Sequence, residues 1–154
     1  MALNTLEVKE GVDLDQMAPG DRPRILLIDD EPDNVLLLKH MFQAKGFDVS
    51  GAFSGKEALG KLNDVKPNLI ILDIMMPEMD GWQTYQQLRK ISDLPVIVVS
   101  AARQTESVVK ALHMGMDDYI TKPFDQSEVV ARVNSVLRRS GPNRKMNRLG
   151  FSMI

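Results

Sequence analysis

Four short runs of aliphatic residues, each followed by a helix-like pattern, constrain this chain more than any other feature. They are Ile25-Leu26-Leu27-Ile28, the weaker Phe47-Asp48-Val49, Leu69-Ile70-Ile71-Leu72 and Val96-Ile97-Val98-Val99, with Tyr119-Ile120 as a shorter fifth. Continuous aliphatic runs of this length suit strands covered on both faces, as in a parallel sheet. Between them the apolar residues switch to helical spacing. Val35, Leu38, Met41 and Phe42 form one stripe, stopped by Gly46. Ala58, Leu59 and Leu62 form a second, opened by Ser54-Gly55-Lys56-Glu57, which fits a capping box. Trp82, Tyr85, Leu88 and Ile91 space a third, and Val108, Val109 and Leu112 a fourth that Gly115 is placed to stop. Asp125-Gln126-Ser127-Glu128, an acidic variant of the box, opens a fifth with Val129, Val130, Val133, Val136 and Leu137, and Arg138 and Arg139 suit the dipole of its last turn. A chain alternating in this way makes an α/β fold: a parallel sheet with right-handed crossovers and helices on both faces.

The bulk composition removes several chemistries. The 154 residues are 44% hydrophobic and 26% charged, as in an ordinary globular domain. A formal net charge of −2 offers no global basic field for nucleic acid or anionic membrane. With no cysteine, disulfides, thiolate catalysis and Cys-based metal sites are excluded. No apolar stretch approaches a membrane span and the start lacks a basic, then apolar, leader, so a cytoplasmic location is expected. Residues 1–23, ending in Met17-Ala18-Pro19-Gly20-Asp21-Arg22-Pro23, read as a flexible extension, 24–140 as the domain, and 141–154 as a tail or the start of a linker.

The residues just past each run carry the chemistry. The first run gives Asp29-Asp30-Glu31, the third Asp73, the fourth Ser100 and the fifth Thr121-Lys122-Pro123. In a parallel sheet all carboxyl ends of strands open on one crevice, where such sheets hold ligands. Each residue alone has a plain explanation: acids capping a helix that begins at Pro32, a solvated strand end, a Lys-Pro turn. All of them falling by chance on the same edge is the harder case to sustain. Facing carboxylates repel, so they share protons or hold a cation. An all-oxygen set without His or Cys points to a hard ion such as Mg²⁺, which also takes phosphate oxygens. A lysine and a hydroxyl opposite could neutralise a phosphoryl group in transfer, and the remaining carboxylate could be its nucleophile. The set reads as an aspartyl-phosphate site with Asp73 as acceptor.

With Asp29-Asp30, Asp73 within LDIMMPEMDG, Ser100 within VVSA and Lys122 within DDYITKPF, the chain resembles the receiver domain of a bacterial two-component response regulator over roughly residues 24 to 140. The resemblance implies a doubly wound five-stranded sheet in the order 2-1-3-4-5, flavodoxin-like. It implies that Asp73 accepts phosphate from a sensor histidine kinase or phosphotransfer protein, as in a phosphorelay. Mg²⁺, or Mn²⁺, would be ligated by Asp30, Asp73 and the backbone carbonyl of Met75, with Asp29 acting through water. Lys122 would contact a phosphoryl oxygen, Ser100 would follow the phosphate, Tyr119 would change position with it, and small Ala101 would leave the acceptor open. The Lys122-Pro123 bond would be cis. Ser100 stands where Thr is as common, and the segment from Asp73 to Ser100 is on the short side for the family.

Two rivals fall on residues. A phosphatase of the haloacid dehalogenase type needs a second Asp two positions after the nucleophile as general acid, and here that position is Met75. The chain is therefore expected to catalyse only its own phosphorylation and dephosphorylation, not to be a turnover enzyme. A flavin module would want a hydroxyl- and Gly-rich first loop, whereas Asp29-Asp30-Glu31 repels phosphate; Ser54-Gly55-Lys56 echoes only half of a P-loop. The resemblance also implies an output face on the fourth helix, fifth strand and fifth helix, from about Thr105 to Arg139. Lys110, Asp117, Asp118, Glu128, Arg132 and Arg139 there could pair with a second copy across a twofold axis. Winged-helix regulators, similar at DDYITKPF, dimerise so, although Val108 and His113 stand where that class usually carries charges. No nucleic-acid or membrane contact is expected of this segment.

Overall fold

The computed structural model describes residues 21–76 and 78–140. Most of the extension expected over 1–23, and all of the tail over 141–154, lie outside the described residues. The elements alternate without exception: β1 Arg24–Ile28, α1 Pro32–Ala44, β2 Asp48–Ala52, α2 Gly55–Val65, β3 Leu69–Leu72, α3 Gly81–Arg89, β4 Val96–Ser100, α4 Thr105–His113, β5 Asp118–Thr121 and α5 Gln126–Ser140. The five strands are parallel and ordered β2-β1-β3-β4-β5, the doubly wound arrangement the family resemblance implies.

Strand alternation divides the aliphatic runs between two cores. Ile25, Leu27, Ile71, Ile97 and Val99 face one side, where Val35, Leu38 and Phe42 of α1 and Val129, Val133 and Val136 of α5 cover them. Leu26, Ile28, Ile70, Leu72, Val96 and Val98 face the other, under Ala58 and Leu62 of α2, Tyr85 and Leu88 of α3, and Ala111 of α4. Each large side chain buried this way contributes ~1.5–3 kcal/mol, so the runs must be apolar throughout rather than alternating.

The helix ends follow their chemistry. Ser54 Oγ accepts from the Glu57 N–H at 3.0 Å, but the Glu57 carboxylate reaches back to the Phe53 N–H (2.7 Å), so the box closes one residue early. Asp80 and Gln83 form a full reciprocal box before α3, which the Met- and Pro-rich loop conceals in the sequence. Asp125 accepts from the Ser127 N–H, while Glu128 turns outward to Arg132. Gly115, at φ +101°, ends α4 in a conformation that costs other residues energy.

Three local expectations need adjusting. Phe47 is not a strand residue: it precedes β2 and packs edge-on against Phe42, with ring centroids 5.5 Å apart. Ile91 lies past the end of α3 and is exposed. In α4 the buried residue is Ala111, whereas Val109 and Leu112 are 45% and 49% exposed. Three apolar residues at i, i+1 and i+4 define a face, but not which way it turns; the methyl of Ala111 lets the helix lie close to the sheet, which rotates the larger side chains outward.

The crossing of α2 and α3 leaves no room at Gly55. A Cβ there would sit 2.1 Å from Thr84 Oγ1 and 2.9 Å from Met79 Sδ. Thr84 is fully buried and its hydroxyl donates to the Asp80 carbonyl at 2.8 Å, so it cannot turn away freely. Gly55→Ala gains up to ~1 kcal/mol of helix propensity, against ~1–3 kcal/mol for overpacking. The clash wins, and the urea midpoint of the variant is expected to fall.

Candidate functional site

The backbone ladder brings the singled-out residues together before any side chain is considered. The Asp73 N–H donates to Ile28 O (2.9 Å), the Asp29 N–H to Ala52 O (3.1 Å) and the Lys122 N–H to Ser100 O (2.8 Å). Thus the first residues after β1, β3 and β5 stand in register at one edge, beside the last residue of β4. Asp29 and Asp73 are only 4% and 6% exposed, and Asp30 is half-buried. Carboxylate oxygens of Asp29, Asp30 and Asp73 lie within 4.8 Å of one another.

Each buried carboxylate is held at both oxygens. Asp29 Oδ1 accepts from the Glu31 N–H (3.0 Å) and Asp73 Oδ1 from the Met75 N–H (2.9 Å). Their Oδ2 atoms meet at Lys122 Nζ, at 2.9 and 3.2 Å. Burial pushes the Asp29 carboxyl above the usual Asp range, against the Glu31 N–H and the Lys122 ammonium, which lower it. Burial would likewise lower the Lys122 ammonium, but Asp29 and Asp73 outweigh it and hold the ammonium above its ordinary value. One cation between two nearly buried carboxylates leaves a surplus of negative charge, and Asp30 adds to it.

Two further residues close the edge. Ser100 is fully buried, and its hydroxyl accepts from the Ala102 N–H at 3.2 Å. The Tyr119 hydroxyl donates to the Ala102 carbonyl at 2.6 Å, with its ring half-buried against the core under α2, α3 and α4. Burial pushes the Tyr119 hydroxyl pKa up. Ala102, which no sequence signal marks, is therefore the joint between Ser100 and Tyr119; it acts through its peptide groups. Ala101 and Met75 are exposed at the mouth, and the Lys122-Pro123 peptide is cis. The site is thus a crevice with an all-oxygen acidic side, an ammonium between two acids, and one wall made by the loop after β4.

Gly81 fixes the loop that carries Asp73. Its N–H donates to Ile74 O at 3.2 Å, and a Cβ there would lie 2.2 Å from Ile74 Cα and 2.7 Å from Asp73 O. Backbone atoms cannot give way as a flexible side chain does, so the acceptor loop and the start of α3 touch only because residue 81 has no side chain.

A doubly wound parallel sheet with an acidic crevice and a lysine at its carboxyl edge defines a class of α/β signalling or phosphoryl-handling domain. Residues 25–134 match the family model described as the response regulator receiver domain, and the chain belongs to that family. It is 43% identical over 118 residues to the alkaline phosphatase synthesis transcriptional regulatory protein PhoP of Bacillus subtilis, covering 76% of this chain and 49% of that protein. It is 41% identical over 133 residues to the probable transcriptional regulator ycf27 of Porphyridium aerugineum, covering 86% and 55%. The chain thus spans about half the length of these curated relatives. Among solved structures, a two-component response regulator from Clostridium difficile superposes with a TM-score of 0.74 at 32% identity, covering 78% of this chain and 99% of that one. The Francisella response regulator 1452 receiver domain does so with 0.71 at 38% identity, covering 77% and 99%. The chain is a two-component signal-transduction domain. No helix among the described residues is long and apolar enough to cross a membrane.

The charge balance gives a test. In Lys122→Met both influences of Lys122 that lower Asp29 disappear, so its folded pKa rises further above its unfolded value. A group with a raised folded pKa binds its proton better in the folded state, so stability falls as pH rises through that window. The variant is expected to lose stability against wild type at pH 7, with the gap narrowing as pH falls toward ~4, the ordinary Asp range. Urea unfolding at pH 4.5, 6 and 7.5 measures it; a gap that is the same at all three pH values contradicts this charge balance.

Proposed function

We propose that the domain accepts a phosphoryl group on Asp73 from the phosphohistidine of a sensor histidine kinase or phosphotransfer protein, and that the added charge changes the face formed by α4, β5 and α5. The observation that carries this reading is the convergence of Asp29, Asp30 and Asp73 with Lys122 at one sheet edge. In the transfer an Asp73 carboxylate oxygen attacks phosphorus, the P–O bond forms as the P–N bond breaks, and the electron pair leaves with the imidazole. The Met75 N–H orients the Asp73 carboxylate through Oδ1. Lys122, already 3.2 Å from Asp73 Oδ2, exchanges that contact for a phosphoryl oxygen and follows the charge as it moves outward.

The acidic cluster fits a hard divalent ion: three carboxylates from β1 and β3 ends, all oxygen, carrying more negative charge than Lys122 neutralises. Asp30, Asp73 and the Met75 carbonyl would hold Mg²⁺, or Mn²⁺, with Asp29 acting through water, and the ion would neutralise phosphoryl oxygens. Ser100 would donate its hydroxyl to a phosphoryl oxygen, and moving toward it would draw Oγ away from the Ala102 N–H, which loosens the joint to Tyr119. Phosphorylation takes the Asp73 side chain from one negative charge to about two and biases a two-state element rather than creating a new one. The domain catalyses its own phosphorylation and dephosphorylation only. The similarity to transcriptional regulators supports a DNA-directed output in a longer protein, with a receiver at 24–140 that works in the cytoplasm and does not itself touch DNA.

With Mg²⁺ and acetyl phosphate, intact mass is expected to rise by one phosphoryl group in wild type and not in Asp73→Asn. Efficient labelling of the Asn variant would place the acceptor elsewhere. Asp30→Ala is expected to weaken Mg²⁺ binding at least ~tenfold, since removing one charged ligand costs more than ~1.4 kcal/mol. Titration followed by the emission of the single Trp82 measures this. Wild-type affinity in that variant would move the metal away from Asp30.

A further inference from the structure

α4 is the helix least anchored by its own packing. Its buried residue is Ala111, a single methyl, whereas α1 buries Val35, Leu38, Met41 and Phe42, and α5 buries Val129, Val133 and Val136. Its N-cap Gln104 makes no side-chain capping bond. A helix with so small a knob in the core has little to resist sliding over the sheet. Besides its packing on β5, two side-chain contacts tie it to α3. The Lys110 ammonium lies over the Trp82 ring, 4.4 Å from its centroid, within range for a cation–π interaction. One turn further, the Tyr85 hydroxyl donates to Met114 O at 3.0 Å and accepts from Arg89 Nε at 2.9 Å. That end is fixed through a backbone carbonyl beside Gly115, where an added Cβ would come 3.0 Å from the Tyr85 hydroxyl. The Lys110 end is held by a side chain alone.

One end of this arrangement begins at the acceptor loop and the other at Ser100 on the same sheet edge. Trp82 follows Gly81, whose N–H is bonded to Ile74 O, the carbonyl next after Asp73. The loop leading into α4 contains Ala102, which is bonded to Ser100 and Tyr119. We propose that the Lys110 ammonium on the Trp82 ring is a latch that keeps α4 against α3, and that charge added at Asp73 acts partly by releasing it. The second half of this rests on the phosphoacceptor reading; the first does not.

Lys110→Met keeps the length and apolar stem and removes the charge; Lys110→Arg keeps a cation able to stack. Neither residue is in the phosphoryl site. Hydrogen exchange of residues 105–114, measured without metal or phosphodonor, is expected to quicken about two- to fivefold in Lys110→Met, the range an exposed cation–π contact spans. Exchange in α5 and in Lys110→Arg is expected to match wild type. Trp82 emission, from the only tryptophan, should shift in Lys110→Met in the direction that Mg²⁺ with beryllofluoride shifts wild type. By reciprocity the variant should bind beryllofluoride about two- to fivefold more tightly. Unchanged α4 exchange in Lys110→Met, or equal loosening in Lys110→Arg, overturns the latch. Loosened α4 with unchanged beryllofluoride affinity overturns its link to Asp73. If wild type itself takes up no beryllofluoride, the phosphoacceptor reading fails, and the metal-free exchange still decides the latch.

Discussion

Everything at the functional edge depends on one ammonium shared by two nearly buried carboxylates. Asp29 and Asp73 face each other across the gap between β1 and β3, and Lys122 reaches in from β5, two strands beyond β3 in the sheet. Two such charges desolvated without a partner would cost several kcal/mol each. The pairing with Lys122, and the N–H groups of Glu31 and Met75, offset part of that cost and hold both carboxylates in place. The arrangement is incomplete: one cation against three carboxylates leaves a net negative crevice that could hold a second cation.

The sheet is what makes this economical. Parallel strands must be apolar on both faces, so polar groups are confined to their ends, and every carboxyl end lies on the same side. The same rule that buries Ile70 and Ile71 in opposite cores therefore delivers Asp73 to the edge. Gly81 then sets how tightly the loop can fold back, because the backbone of Ile74 occupies the space where a side chain would be.

This explains what the sequence could and could not reveal. The aliphatic runs show strand order of appearance and the polar residues that end them, so Asp29, Asp30, Asp73, Ser100 and Lys122 could be placed on one edge from pattern alone. Contacts made by peptide groups leave no such trace. Ala102 joins Ser100 to Tyr119 through its N–H and carbonyl, and any small residue would spell it the same way. The turn of α4 was equally hidden, since Val108, Val109 and Leu112 look like a core stripe until the sheet accepts Ala111 instead. The Lys110–Trp82 stack joins residues on separate helices by side-chain direction, which spacing does not encode.

The charges on the face of α4, β5 and α5 illustrate the same limit and carry a consequence. In the sequence Lys110, Asp118, Glu128 and Arg132 are an unassigned mixture of signs that a second copy could match. In the fold Arg132 Nη1 donates to both Asp118 oxygens at 3.0 Å and Nε to Glu128 at 3.1 Å, while Lys110 covers Trp82. These groups already have partners within the chain. A symmetric pairing through them must therefore exchange contacts rather than add them, and its net gain is the difference between an intermolecular and an intramolecular ion pair, each partly exposed and individually worth ~1 kcal/mol or less. Such a face is poised near balance. On the proposed reading, a movement of α4 that freed Lys110 would need to shift this balance by only ~1 kcal/mol to decide whether the face stays closed on itself or engages a partner.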